Sequence, residues 1–167
     1  LALEQYNIVI QNKNNKADIT FLALAGKASV QLSLHDFPAA YETATEAVTL
    51  NAHNAMIYGA LIDACVELGR YSEATEYADK MVTMRPDLRS YSRIAYLREI
   101  HGMITESENA MLLAIQAGSP GQEQTAWAMQ TLAEFYMTYG KLKEAEEVFH
   151  AILDQRKDFP FAIAGLA

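Results

Sequence analysis

The strongest constraint in this chain is a unit of about 34 residues that recurs in phase, the period of stacked helix pairs. Its clearest copy runs from Tyr58 to Pro86, with bulky Tyr58, Leu61, Ile62 and Cys65, then small Ala74 and Ala78. Ala40 and Ala74 stand 34 residues apart, Ala74 and Ser107 stand 33 apart, and Ser107 and Ala145 stand 38 apart. Between the bulky and the small set of three copies lie Gly69, Gly102 and Gly140. Apolar residues three and four apart line one face of a helix, and a glycine after them can end it in a left-handed conformation. Each copy therefore reads as two antiparallel helices. A pair this short cannot bury both its faces alone, so the copies must stack on one another. The predicted fold class is all-α, with about ten helices.

Composition narrows the work such a stack can do. With 51% hydrophobic residues, 4 Pro and 8 Gly, the chain suits continuous helices rather than disorder. A formal charge of -8 opposes a phosphate backbone and argues against nucleic acid as partner. Cys65 is the one cysteine, which leaves neither an intrachain disulfide framework nor a thiolate cluster for a metal. No apolar run approaches the roughly 18 residues of a membrane span, and no leader pattern opens the chain. Since it starts Leu1-Ala2-Leu3 and stops at Ala167 in mid-pattern, both ends read as cut from a longer protein. The compartment stays open between cytoplasm, periplasm and exterior.

In chain order, 1–20 reads as the second helix of a truncated unit and a linker, followed by units at 21–54, 55–87, 88–121 and 122–157, then a first helix at 158–167. Helices are expected over about 17–34, from Pro38 to Leu50, and over 54–68 and 71–84. His35-Asp36-Phe37-Pro38 forms the turn between the first two, since Pro38 is tolerated where its missing N–H would have no partner. Thr105 and Glu108 have the spacing of a capping box. Gly118-Ser119-Pro120-Gly121 breaks the pattern, with Ser119 read as the cap of a new helix and Pro120 in its first turn. The 38-residue step gives the helix carrying Trp127 an extra turn.

On these residues, 21–157 resembles four tandem tetratricopeptide repeats flanked by half-repeats. The string from Arg89 to Gly102, with Ala117-Gly118-Ser119-Pro120 and Ala126-Trp127, is similar to a segment of large bacterial tetratricopeptide proteins. Lys27, Gln31, Arg98 and Ser107 depart from the pattern. The resemblance implies a right-handed superhelix, an α-solenoid whose first helices line a concave groove. It places Met56, Asp63, Glu67, Arg89, Tyr96, Glu99, Trp127, Gln130, Glu134 and Met137 in that groove. Carboxylates mixed with exposed apolar groups suit a peptide or partner helix with apolar anchors and a basic flank. Trp127 and Tyr96 also fit a role in packing between neighbouring helices. Chaperone-tail-binding members hold a terminal carboxylate with Lys and Asn at groove positions; those residues are missing here, so that activity is not carried over.

Other reactive side chains read as structural. Cys65 occupies a packing position without a base or oxyanion site beside it. His35, His53, His101 and His150 lack metal-ligand spacing. Arg85, Arg89 and Arg93 recur every four residues and could meet an anion, yet such a run is more often solvated or paired. Glu144, Glu146 and Glu147 read as a solvated helix face. The sequence thus points to a non-catalytic protein-interaction scaffold with no cofactor, or alternatively to the regulatory or substrate-presenting arm of a larger enzyme or assembly. Apolar faces on Leu1–Ile10 and Phe159–Ala167 predict self-association.

Overall fold

The computed structural model describes residues 1–167 and consists of ten α-helices without strands. They form two compact units, Leu1–Arg85 and Pro86–Ala167. The first holds α1 (Ala2–Gln11), α2 (Ala17–Ser33), α3 (Phe37–Leu50), α4 (Ala55–Glu67) and α5 (Tyr71–Met84). The second holds α6 (Leu88–Ile100), α7 (Ile104–Ala117), α8 (Glu123–Thr138), α9 (Leu142–Gln155) and α10 (Pro160–Gly165).

In the N-terminal unit α2 pairs with α3 and α4 with α5, while α3 packs on α4 and α1 on α2. The small residues Ala40, Ala44 and Ala47 of α3 are wholly buried, as are Ile57, Ala64 and Cys65 of α4. Side chains this short let the helix axes approach, so the bulky residues of one helix fill the grooves of the next. α1 is seated by Tyr6, whose ring lies against Gly26 so closely that a Cβ there would stand 2.6 Å from it.

Every pair turns in the same way. The chain passes through a left-handed residue, and the next N–H closes on a carbonyl five residues back, the Schellman geometry that satisfies an orphan helix end. Gly69, Gly102 and Gly140 have φ of 71°, 72° and 73°. The closing bonds run from Arg70 N to Cys65 O at 2.8 Å, Met103 N to Arg98 O at 2.9 Å, and Lys141 N to Tyr136 O at 2.8 Å. In the first pair His35 takes the left-handed place with φ 58°, the one non-glycine to do so, and Asp36 N closes on Gln31 O at 2.9 Å.

In the C-terminal unit α6 pairs with α7 and α8 with α9, and α10 packs on α9. Phe149, Ile152, Leu132 and Ala133 are buried at its centre. Ser107, standing where the pattern wants Ala, is also fully buried; its hydroxyl donates to Ala95 O at 2.8 Å, so the departure is satisfied. At 16 residues α8 exceeds α4 and α6, with 13 each, by the extra turn that the long step requires.

Two local expectations are corrected. The Thr105–Glu108 capping box does not form, because the Gly102 turn starts α7 already at Ile104 and leaves Thr105 inside the first turn. The box that does form is Asp87–Ser90, where Asp87 Oδ1 accepts from Arg89 N and Ser90 N while Ser90 Oγ accepts from Asp87 N. Nor does Ser119 cap α8, which begins at Glu123. Gly121, with φ 74°, prevents a helix from running on from Pro120. Instead Gly121 is gripped by the end of α9: its N–H donates to Gln155 Oε1 at 2.8 Å and its carbonyl accepts from Arg156 Nη1 at 3.1 Å.

Both units carry a polar tie on the pair-to-pair contact. In the N-terminal unit Tyr41 donates to Glu73 Oε1 at 2.5 Å, Tyr77 donates to the same oxygen at 3.2 Å, and Arg70 lies over the Tyr41 ring at 4.5 Å. In the C-terminal unit Lys141 Nζ meets Glu108 Oε2 at 2.6 Å and Tyr136 donates to Glu108 Oε1 at 3.0 Å. No helix is long and apolar enough to cross a membrane.

Candidate functional site

The ten residues expected to line a groove stand on first helices, three in the N-terminal unit and seven in the C-terminal unit. On α4, Met56 and Glu67 are exposed and Asp63 is half-buried. The buried Gly59 between Met56 and Asp63 offers no side chain, so this helix presents little beyond a thioether and two carboxylates.

The C-terminal unit presents more. Arg89, Tyr96 and Glu99 lie along α6, with Tyr96 half-exposed, and Trp127, Gln130, Glu134 and Met137 lie along α8, three or four residues apart and so on one face. Trp127 is 41% exposed yet not loose. Its ring meets Phe159 edge-on at 5.4 Å and Phe161 at 4.5 Å, and those two rings are 5.8 Å apart. Phe159 is buried whereas Phe161 is 49% exposed, so Trp127 and Phe161 form a held aromatic rim with one side on solvent. Trp127 thus packs on a neighbouring helix, as one of its two expected roles required, while part of its ring stays exposed. Phe161 was not among the expected residues. Its position one full period of 34 residues after Trp127 is the signal that could have found it.

The polar members differ in their surroundings. Gln130 is 5% exposed; its Nε2 donates to Glu134 Oε1 at 2.9 Å, and its Oε1 has no hydrogen-bond partner. Glu99 accepts from Tyr139 O–H at 3.4 Å, and the Tyr139 ring leans on Phe135 at 4.6 Å. Neither Glu99 nor Glu134 pairs with a cation of the chain, in contrast to Glu73 and Glu108.

The remaining reactive groups do not assemble into a site. Cys65 is fully buried, and burial first, with the nearby Glu73 carboxylate second, pushes its thiol up to about 11, which leaves it protonated and unreactive. No three His, Cys, Asp or Glu side chains come together as metal ligands. His101 turns its Nδ1 to Leu97 O at 2.6 Å, and His150 faces Glu146 at 3.9 Å. A cleft of about 320 Å³ between α9 and α10 is lined by Met137, Leu142, Phe149 and Leu166, with Glu146 as its one charge.

Among known proteins, no family model matches this chain, and neither does any curated protein. Solved structures do. TTC0263, a thermophilic TPR protein of Thermus thermophilus, is 20% identical, with 98% of this chain and 87% of that one covered at a TM-score of 0.81. The chain has the tetratricopeptide-repeat (TPR) fold. YrrB, a TPR protein with an unusual peptide-binding site, matches at 18% identity over 98% of this chain and 81% of its own, with a TM-score of 0.66. MamA matches at 17% identity over 93% of this chain and 86% of its own, with a TM-score of 0.69. At such identities the likeness is one of fold. The expected residues stand on α4 in the N-terminal unit and on α6 and α8 in the C-terminal unit, the first helices of their pairs.

Proposed function

We propose that this chain is a non-catalytic protein-interaction scaffold that holds a peptide or partner helix on the first-helix face of its C-terminal unit. The observation that supports this reading most is Trp127, a large ring kept half in solvent by two phenylalanines and aligned with Gln130, Glu134 and Met137 on one helix face. An indole held in place loses little freedom when a partner covers it, and such rings carry much of the energy of protein interfaces. The exposed Tyr96 on α6 and Met137 on α8 add further apolar area.

The test is capture from native extract by the chain, beside a variant carrying Tyr96→Ala, Trp127→Ala and Met137→Ala, after circular dichroism has shown both to be equally helical. A partner held by the parent and released by the variant is expected. A partner held equally by both, or substrate turnover dependent on these residues, would overturn the reading.

Self-association is a second contact mode, favoured by the exposed Ile8 on α1 and the exposed Phe161 and Ile163 on α10. Light scattering is expected to show mass rising with concentration; a strict monomer throughout would remove this mode.

A further inference from the structure

We infer that the α6–α8 face of the C-terminal unit is built for a basic peptide segment, whose arginine or lysine side chains meet Glu99 and Glu134 while an apolar neighbour covers the Trp127–Phe161 rim. This rests on the reading of the first-helix face as the binding surface and adds the chemistry of the ligand.

Three independent features converge. The first is charge: Glu99 and Glu134 stand on adjacent helices of one face and neither has a cation, although the chain pairs other carboxylates with Arg70 and Lys141. Glu99 also lies in the last turn of α6, where free carbonyls add negative partial charge that favours a cation. Neighbouring Arg98 does not cancel it, because its Nη1 donates to Glu106 O on α7 at 3.1 Å. Arg89 stands ten residues before Glu99, about 15 Å along the helix, so the face has a positive entrance and an acidic far half.

The second feature is the amide of Gln130. It is bonded to Glu134, is nearly buried, and lacks a partner for its Oε1. A buried carbonyl one bond short carries an uncompensated desolvation cost. The amide is anchored through Glu134, so a partner's cation on Glu134 would fix the carboxylate that orients the amide.

The third is the aromatic rim. Trp127 lies seven residues before Glu134, about 10 Å along α8. A cation reaching Glu134 can lay its aliphatic stem, or that of a neighbouring residue, across the indole face. Guanidinium and ammonium groups are attracted to that face as well as to carboxylates. An acidic peptide would meet two unpaired carboxylates and is excluded by repulsion.

The experiment is selection of a displayed random nonapeptide library on the immobilised chain, on a Glu99→Gln, Glu134→Gln variant that keeps side-chain shape, and on Trp127→Ala. The parent is expected to enrich peptides carrying Arg or Lys next to an apolar residue, and the Gln variant to lose that bias. Synthesised winners, titrated through the fluorescence of Trp127, the only tryptophan in the chain, should bind the Gln variant about tenfold more weakly, as expected for one lost charge-assisted contact. Winners without charge bias, acidic winners, or equal affinity for parent and Gln variant would overturn the inference while leaving peptide binding intact. No enriched peptide on any form would overturn both the inference and the peptide-binding reading.

Discussion

The two units hold successive helix pairs together at one and the same place with different chemistry. In each, the residue after the turn glycine, Arg70 or Lys141, reaches the residue that follows the small position of the preceding second helix, Tyr41 or Glu108. Arg70 lies close on a ring, at 4.5 Å, with a long ion pair to Glu73 at 3.9 Å, whereas Lys141 makes a short ion pair at 2.6 Å and stands farther from its ring, at 5.3 Å. The N-terminal unit then places its carboxylate elsewhere, on Glu73, where it gathers two phenols. The C-terminal unit gathers cation and phenol on Glu108 itself. The backbone repeat thus dictates where a tie is needed, and several combinations of cation, phenol and carboxylate can supply it. They should differ in their response to acid and salt.

The largest effects test the frame that both units share. Ala74→Leu and Ser107→Leu each force a large side chain between paired helices and should destabilise the chain by about 1 to 3 kcal/mol, read from urea unfolding midpoints. Ser107→Ala should cost about 1 kcal/mol, the value of a satisfied hydrogen bond; no loss there would show that the Ala95 contact contributes nothing.

Acid should separate the two ties. The Lys141 hydrogen bond, first among the causes, holds the Glu108 carboxyl below its ordinary 4.5, against a smaller opposing effect of burial. A carboxyl lowered on folding contributes stability that is present above its unfolded value and is lost as pH falls through its folded value. Hydrogen-exchange protection across α7–α8, corrected for the intrinsic pH dependence of exchange, should fall as pH drops through that range in the parent, and this fall should be absent in Glu108→Gln. Alkali acts in the other direction on the same cluster, since burial and Glu108 push Tyr136 up to about 12; its contribution is complete below 10 and is lost as pH rises through 12.

Smaller again is the exchange of the cations. Lys141→Met should cost about 0.5 to 1 kcal/mol, and less at high salt, because the pair is partly exposed. Arg70→Met should cost a similar amount with weaker salt dependence, since its ring contact acts through contact and quadrupole and its ion pair with Glu73 is long, at 3.9 Å. Equal salt sensitivity would break the distinction between the ties. The smallest expected effect lies at His35, where a left-handed φ is strained for a residue with a Cβ. His35→Gly should stabilise the N-terminal unit by at most about 1 kcal/mol, measured as a rise in thermal midpoint.

Much of the fold was legible because its signals are local and repeated. Gly69, Gly102 and Gly140 could be read as turns from spacing alone, and so could the extra turn in the helix of Trp127. Caps were less legible: Thr105 and Glu108 have the right letters, but the Gly102 turn had already started the helix two residues too early for them. The candidate face was legible in part. Trp127, Glu99 and Glu134 follow from counting along the helices, while burial of Gln130, its one missing bond and the contribution of Phe161 depend on which helices meet.

The sequence by itself determined the helix pairs, their turns and their order, because periodicity and a backbone that must pass through φ > 0 act over a few residues at a time. Only the tertiary structure decided that Glu108 serves Lys141 and Tyr136 rather than a helix cap, that the end of α9 grips Gly121, and that Trp127 rests on Phe159 and Phe161. Those contacts join residues 28 to 35 apart, whose meeting is set by how the pairs pack, and no local pattern encodes it.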